Sequence, residues 1–438
     1  MMQKYDSYKD SGVQWLGEIP SHWEICKTSY IFNHIGSGTT PNSGEDGYYS
    51  EDGFPFLQTG DLNDSVITTT AKKVTEKAIR NTNLKIYPKG SLVIAMYGAT
   101  IGKLGILGID TTVNQACCVL PETKKMNTTY AYYQFMSAKS DLLFHSKGGG
   151  QPNISQDTIR NERIVLPPLS EQQAIAAYLD EQTAKIDTAI AQQQKMIDLL
   201  NERKQIIINR AVTKGLNPNV KMKDSGVEWI GEVPEHWEIC KLKALGTTIN
   251  GVSHDSTYFG EGFPFVSYSD VYKNMELPSD VSGLARSSKD EQRIFSVEEG
   301  DVFFTRTSET AEEIGFTSTC MKTIPNAVFA GFLIRFRPYR NRIDKHFSKF
   351  YFRAEIHRSY FVKEMNLVIR ASLSQQLLKG LPVLLPPLNE QKEIARFLEE
   401  QCKTLDNSIA SYKKQIALLQ ERKQIIINDV VTGKVKVC

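Results

Sequence analysis

The sequence has no run approaching about 18 consecutive apolar residues, the length a membrane span needs. Its opening stretch, MMQKYDSYKDSG, has no apolar core of signal-peptide length, so a cytoplasmic protein is expected. Paired cysteines are missing too. Cys26, Cys117, Cys118, Cys240, Cys320, Cys402 and Cys438 are odd in number and include no CxxC, which argues against a disulfide framework or a zinc site and for reduced thiols. Excess charge of one sign is also lacking: 52 Lys and Arg against 50 Asp and Glu leave +2, so a polyanion would have to be met by a local patch. What the chain does have is bulk. Its 438 residues predict two or three domains at about 150 residues each, and 41% hydrophobic residues suffice for a real core.

The chain also repeats itself. DSGVQWLGEIPSHWEICK from Asp10 recurs as DSGVEWIGEVPEHWEICK from Asp224, with 14 of 18 positions identical. LPPLSEQQAIAAYLDEQTAKIDTAI from Leu166 recurs as LPPLNEQKEIARFLEEQCKTLDNSI from Leu385, and ERKQIIIN appears at Glu202 and at Glu421. Between these blocks the stretches 28–165 and 242–384 diverge. Shared parts are read as architecture and divergent parts as a difference in recognition.

Each LPPL block predicts the start of a long helix, because its prolines stop the preceding strand; Ser170 with Gln173 forms a candidate capping box, and Asn389 a candidate cap. A heptad follows. Ala176, Thr183, Ile190, Ile197 and Lys204 alternate with Leu179, Ile186, Gln193, Leu200 and Ile207. In the second copy Ala395, Cys402, Ile409, Ile416 and Lys423 alternate with Leu398, Leu405, Tyr412, Leu419 and Ile426. A narrow apolar seam on each of two helices predicts a coiled coil, with the seam lysines fixing register. A two-fold relation between the repeats requires the helices to be antiparallel and the chain ends to meet, in a nearly circular layout. About 39 residues per helix gives about 58 Å.

The variable stretches read as mixed α and β. SLVIAMYG from Ser91, CCVL from Cys117, DVFFTRT from Asp301 and FLIRFRP from Phe332 are turn-bounded strands. The chemistry-bearing patterns are near misses. GATIGK from Gly98 is one residue short of a phosphate loop and has Leu104 where a magnesium-binding hydroxyl belongs, so it reads as a turn between strands. Both Pro-Pro pairs lack the flanking Asp or Asn and aromatic residue that would hold a methylated amino group. Gly36-Ser37-Gly38 lacks the strand and acidic partner of a nucleotide loop. Asp110 with Glu122-Thr123-Lys124 resembles a nuclease metal site, but such spacing arises readily by chance. The seven histidines show no HExxH, and His22 and His236 in the repeated HWE read as packed or capping groups at a domain junction.

A binding signal is clearer. From Arg335 to Lys363 nine basic residues, Arg340, Arg342 and Lys345 among them, are interleaved with eight aromatics and meet only Asp344 and Glu355. Phosphates attract flexible cations and base edges attract forked donors; the aromatics of FSKFYF read as the core face of a helix. A second candidate precedes each long helix: Lys147, Gln151, Asn153 and Ser155 in the first copy, Arg370 and Ser372 in the second. Lys103 and Arg306, beside the strands, complete the set. A plain connecting loop is the alternative for these segments.

Together the repeated SGVxWxGExPxHWE, the LPPLxEQ opening each helix and the ERKQIIIN near its end resemble the specificity subunit of type I restriction-modification systems, over the whole chain. The resemblance implies an α+β fold with two mixed α/β target-recognition domains separated by two long antiparallel helices. Its expected divisions are 1–165, 166–215, 216–384 and 385–438. Each recognition domain would read one half of a bipartite double-stranded DNA target, the half-sites about one DNA turn (34–36 Å) apart. It further implies no catalytic residue and no metal or cofactor on this chain. Two modification subunits would carry S-adenosylmethionine, and restriction subunits would carry ATP and magnesium. Two other readings stand beside it: a self-contained methyltransferase or nuclease, and a coiled-coil scaffold without nucleic acid.

Overall fold

The computed structural model describes residues 3–82, 84–144, 153–308, 314–364 and 371–437. The chain divides into two compact units, Met1–Gln193 with Lys414–Cys438, and Gln194–Lys413. Each combines a mixed sheet domain with a segment of both long helices, Leu169–Lys214 and Leu388–Val431.

The divergent stretches fold with one topology. In the first unit the main sheet runs Gly36–Ser37, Cys117–Leu120, Leu92–Ala95, Leu104–Leu107, Ser65–Ile67. In the second it runs Gly246–Asn250, Leu333–Pro338, Val302–Thr305, Thr317–Thr319, the same order without the last strand. The central strands LVIA and VFFT are buried at every position, which explains their continuous apolar runs in place of alternation. A second sheet also repeats: Tyr49–Leu57 pairs in parallel with Thr111–Val113, as Phe259–Val266 does with Val328–Phe329. All four strands expected from the sequence form. GATIGK is the turn joining Leu92–Ala95 to its antiparallel neighbour Leu104–Leu107, with Gly98 and Gly102 at positive φ.

Two-stranded ladders tie each domain to its helix. Glu24–Lys27 pairs with Arg163–Leu166, and Glu238–Lys241 with Pro382–Leu385, so the repeated EICK lies against the strand that runs into LPPL. The helices begin at Leu169 and Leu388, which places Ser170 and Asn389 inside the first turn and not at the cap. Pro168 and Pro387 stand at the cap positions instead, and their carbonyls accept the first helical hydrogen bonds, from the Gln172 amide at 3.0 Å and the Gln391 amide at 2.9 Å. The helices are also longer than expected, 46 and 44 residues or about 69 and 66 Å. The first runs on through AVTK until Gly215, at φ +70°, ends it in the left-handed conformation that glycine tolerates.

In the first unit the start of one helix and the end of the other share a core: Ile175, Ala176 and Leu179 pack with Ile427, Val430 and Val431 around Trp23. Antiparallel direction follows, since Tyr5 reaches Glu171 while Tyr8 donates to the Gly433 carbonyl, and further along Asp187 meets Lys423 at 2.7 Å. The second unit repeats this with Ile394, Ala395 and Leu398 against Ile208, Ala211 and Val212 around Trp237, and Lys204 meets Asp406 at 2.7 Å. Both seam lysines thus sit on an aspartate of the opposite helix, at equivalent places in the two copies. Along the seam Leu179, Ile186, Ile197, Leu398, Leu405 and Ile409 are buried, and Ile190, Leu200, Ile416 and Leu419 half-buried. The chain ends meet, Gln3 bridging to Lys436. Among the described residues no helix is long and apolar enough to cross a membrane.

Candidate nucleic-acid interface

The repeated motifs converge on one carboxylate per unit. Glu171, in the first turn of its helix, accepts from the indole of buried Trp23 at 3.0 Å and the Tyr5 hydroxyl at 3.2 Å, and its other oxygen meets His22 at 2.7 Å. Glu390 holds Trp237 at 3.1 Å and His236 at 2.7 Å. Burial pushes the Glu171 carboxyl up, but the hydrogen bonds from Trp23 and His22 outweigh it and hold it below the ordinary carboxylate range. His22 and His236 are therefore junction clamps, as their repetition suggested. Beside each carboxylate a buried glutamine bridges three segments. Gln172 accepts from the Asn127 amide and donates to Pro167, and Gln391 accepts from the Asp344 amide and donates to Pro386. Sequence reasoning missed Gln172 and Gln391, although the invariant EQ within LPPLxEQ was the available signal.

The basic run of the second unit is largely structural. Arg337 forms a two-pronged pair with buried Asp301 at 2.7 Å, and Arg335 donates to the Ser296 carbonyl at 2.6 Å. Arg353 holds the Thr317 and Tyr272 carbonyls, while Arg358 stacks on Phe316. Lys349, only 6% exposed, is held between Glu276 and Glu399. The aromatics Phe347, Phe350, Tyr351 and Phe352 are core, as expected for FSKFYF.

The candidate contact residues fall into separate places. Arg342 pairs with Glu238 at 3.1 Å, Lys345 with Glu299 at 2.7 Å, and Arg340 is exposed. Arg306 lies elsewhere, just past the central strand: its amide donates to the Phe332 carbonyl and its carbonyl accepts from Leu373, next to exposed Ser372. In the first unit Asn153 is exposed and bridges to Tyr97, and the Ser155 hydroxyl caps the helix Gln156–Asn161. The Lys103 carbonyl accepts from Ala95 at the end of the same central strand. Lys147, Gln151 and Arg370 lie outside the described residues. The nuclease-like pattern is taken apart: Asp110 accepts from the Lys89 amide, and Thr123 bridges Met126 in a turn. The six described cysteines are free, and burial pushes the thiols of Cys117, Cys118 and Cys320 up to about 12, far from nucleophilic.

Known proteins are similar to this chain along most of its length. The family model for the type I restriction modification DNA specificity domain matches twice, over residues 20–197 and 234–421, one match per repeat. The chain is 26% identical over 433 residues to the type I restriction enzyme MjaVIII specificity subunit of Methanocaldococcus jannaschii, covering 96% of this chain and 94% of that protein. It is 24% identical to the EcoKI specificity subunit of Escherichia coli, covering 95% and 90%. A solved chain from work on complex assembly and conformational transition of the type I R-M system matches the fold at a TM-score of 0.69 with 14% identity, covering 94% of this chain and 98% of that one. With both repeats matched along most of its length, the chain belongs to the family of type I restriction-modification DNA specificity subunits.

Proposed function

We propose that this chain reads a bipartite double-stranded DNA target, one unit per half-site, and directs adenine methylation or cleavage by partner subunits while carrying no catalytic residue itself. The observation that carries this reading is the contrast between the two units: topology, junction carboxylates and helix seam repeat, whereas the side chains on the sheet domains do not. A duplicated scaffold with divergent surfaces suits two different half-sites. S-adenosylmethionine belongs on two modification subunits, and ATP with magnesium on restriction subunits. On this reading residues 1–165 and 216–384 are the target-recognition domains, and 166–215 and 385–438 the spacer helices.

The test replaces residues 242–384 with the corresponding segment of another family member and maps methylated adenines with the modification subunits present. One half-site should change and the other persist; a simultaneous change in both overturns independent reading. Methyl transfer by the purified chain alone, lost on a single substitution, would instead favour a self-contained methyltransferase.

A further inference from the structure

Three segments meet beyond the end of each central strand, held by the same backbone hydrogen bonds in both units. In the first, the Met96 amide donates to the Ala116 carbonyl at 2.8 Å and the Met96 carbonyl accepts from Ile154 at 2.9 Å. In the second, the Arg306 amide donates to Phe332 at 2.9 Å and its carbonyl accepts from Leu373 at 2.7 Å. Tyr97 pairs with Asn153 as Thr307 pairs with Ser372. Beneath this ledge the residues are alike: Ile154 and Leu373 are fully buried, and the hydroxyls of Ser155 and Ser374 cap the next helix. On top of it the corresponding side chains differ, tyrosine against threonine, alanine against phenylalanine and asparagine against serine, while Met96, the counterpart of Arg306, is buried in the core.

The outward groups have the chemistry of base recognition. Tyr97 is 37% exposed, and Gln115, beside Ala116, is exposed with its amide oxygen taken by the Thr40 hydroxyl, which leaves the amide nitrogen to donate. Phe332 is 63% exposed although it adjoins a buried strand. The Arg306 guanidinium has no hydrogen-bond or ion-pair partner among the described residues, unlike Arg335, Arg337, Arg342 and Arg353.

Resting on the DNA-reading function above, we propose that these two ledges are the base-reading edges: Tyr97, Gln115 and Asn153 for one half-site, and Arg306, Phe332 and Ser372 for the other. The Asn153 amide matches the donor and acceptor of adenine in the major groove, the Gln115 amide nitrogen can donate to a base acceptor beside it, an arginine fork matches guanine, and an apolar ring suits the thymine methyl. The first half-site therefore contains an A·T pair held by an amide, and the second a G·C pair held by Arg306.

The experiment assembles the full chain with its modification subunits on a plasmid library of randomised targets and reads methylated adenines. Arg306→Ala should relax discrimination at one base pair of one half-site by about 10-fold or more, leaving the other half-site intact. Arg306→Lys, which keeps the charge but loses the fork, should relax it similarly. The double variant N153A/Q115A should act only on the opposite half-site. A wild-type motif that persists unchanged in these variants, or an Arg306→Lys profile identical to wild type, overturns the assignment. Methylation by the wild-type complex with no sequence preference would instead refute the DNA-reading function itself.

Discussion

Replacing Glu171 with alanine removes the acceptor that holds Trp23, Tyr5 and His22 to the first helix. Trp23 is fully buried, so its indole N–H is left with neither protein nor water. An orphaned buried donor costs about 1–3 kcal/mol, and loss of the Tyr5 bond adds about 1 more; the half-exposed histidine contributes little. The loss is therefore about 2–4 kcal/mol of local stability. Hydrogen exchange of the amides in Tyr8–Asp10 and Glu18–Pro20, the ladder beside the clamp, should then quicken about 30- to 900-fold relative to wild type. The carboxyl is held below its ordinary value in the fold, so its stabilisation is complete above the unfolded value near pH 4.3 and fades as pH falls through the lower folded value. The ratio of variant to wild-type rates should shrink accordingly below about pH 4. Glu390→Ala should loosen the second unit alone and by less, because Asn219 stands where the first copy has Tyr5. Exchange within twofold of wild type at pH 7, or a ratio constant down to pH 3, would refute the clamp.

Other perturbations reach other levels of the structure. Asp187→Lys sets two lysines against each other on the seam and should lower the melting temperature by the equivalent of about 1 kcal/mol, with D187K/K423D recovering most of it; equal melts for both would show that the pair does not set register. Asp301→Ala leaves Arg337 facing a buried vacancy and should cost about 3 kcal/mol by urea titration, and a loss under 1 kcal/mol would contradict the ion pair's structural role. Adding seven residues to each helix, between Ile186 and Leu200 and between Leu405 and Leu419, preserves the heptad and lengthens each by about 10.5 Å. The methylated target should keep both half-sites and widen its gap by about 3 base pairs; an unchanged gap would defeat a measuring role for the helices.

Much of the architecture was legible because it was written twice. The seam, the junction histidines and the order of blocks each appear in both repeats, and a pattern that survives duplication stands out from chance. Long-range pairing was not legible. Arg337 finds Asp301 36 residues earlier and Lys349 finds Glu276 73 residues earlier, so a run that looks like a basic patch along the chain is folded largely into its own counter-ions. The helix starts were misplaced because the second proline of each pair stands at the cap position, so that Ser170 and Asn389 fall inside the first turn. Tyr97, Gln115 and Phe332 went unnoticed because no local spacing marks them; only the shared ladder of Met96 and Arg306 reveals that they stand on equivalent ledges, one in each unit.

Each unit's core is finished by a stretch of helix encoded at the far end of the other repeat: Ile427, Val430 and Val431 serve the first unit, Ile208, Ala211 and Val212 the second. Cutting the gene between its repeats would therefore not release two self-sufficient proteins. A lone repeat carries a helix end with its apolar residues uncovered and a core with a slot of matching shape unfilled, and the most economical remedy is a twin molecule inserted the other way round. The present chain is, in that sense, a head-to-tail pair held in one polypeptide.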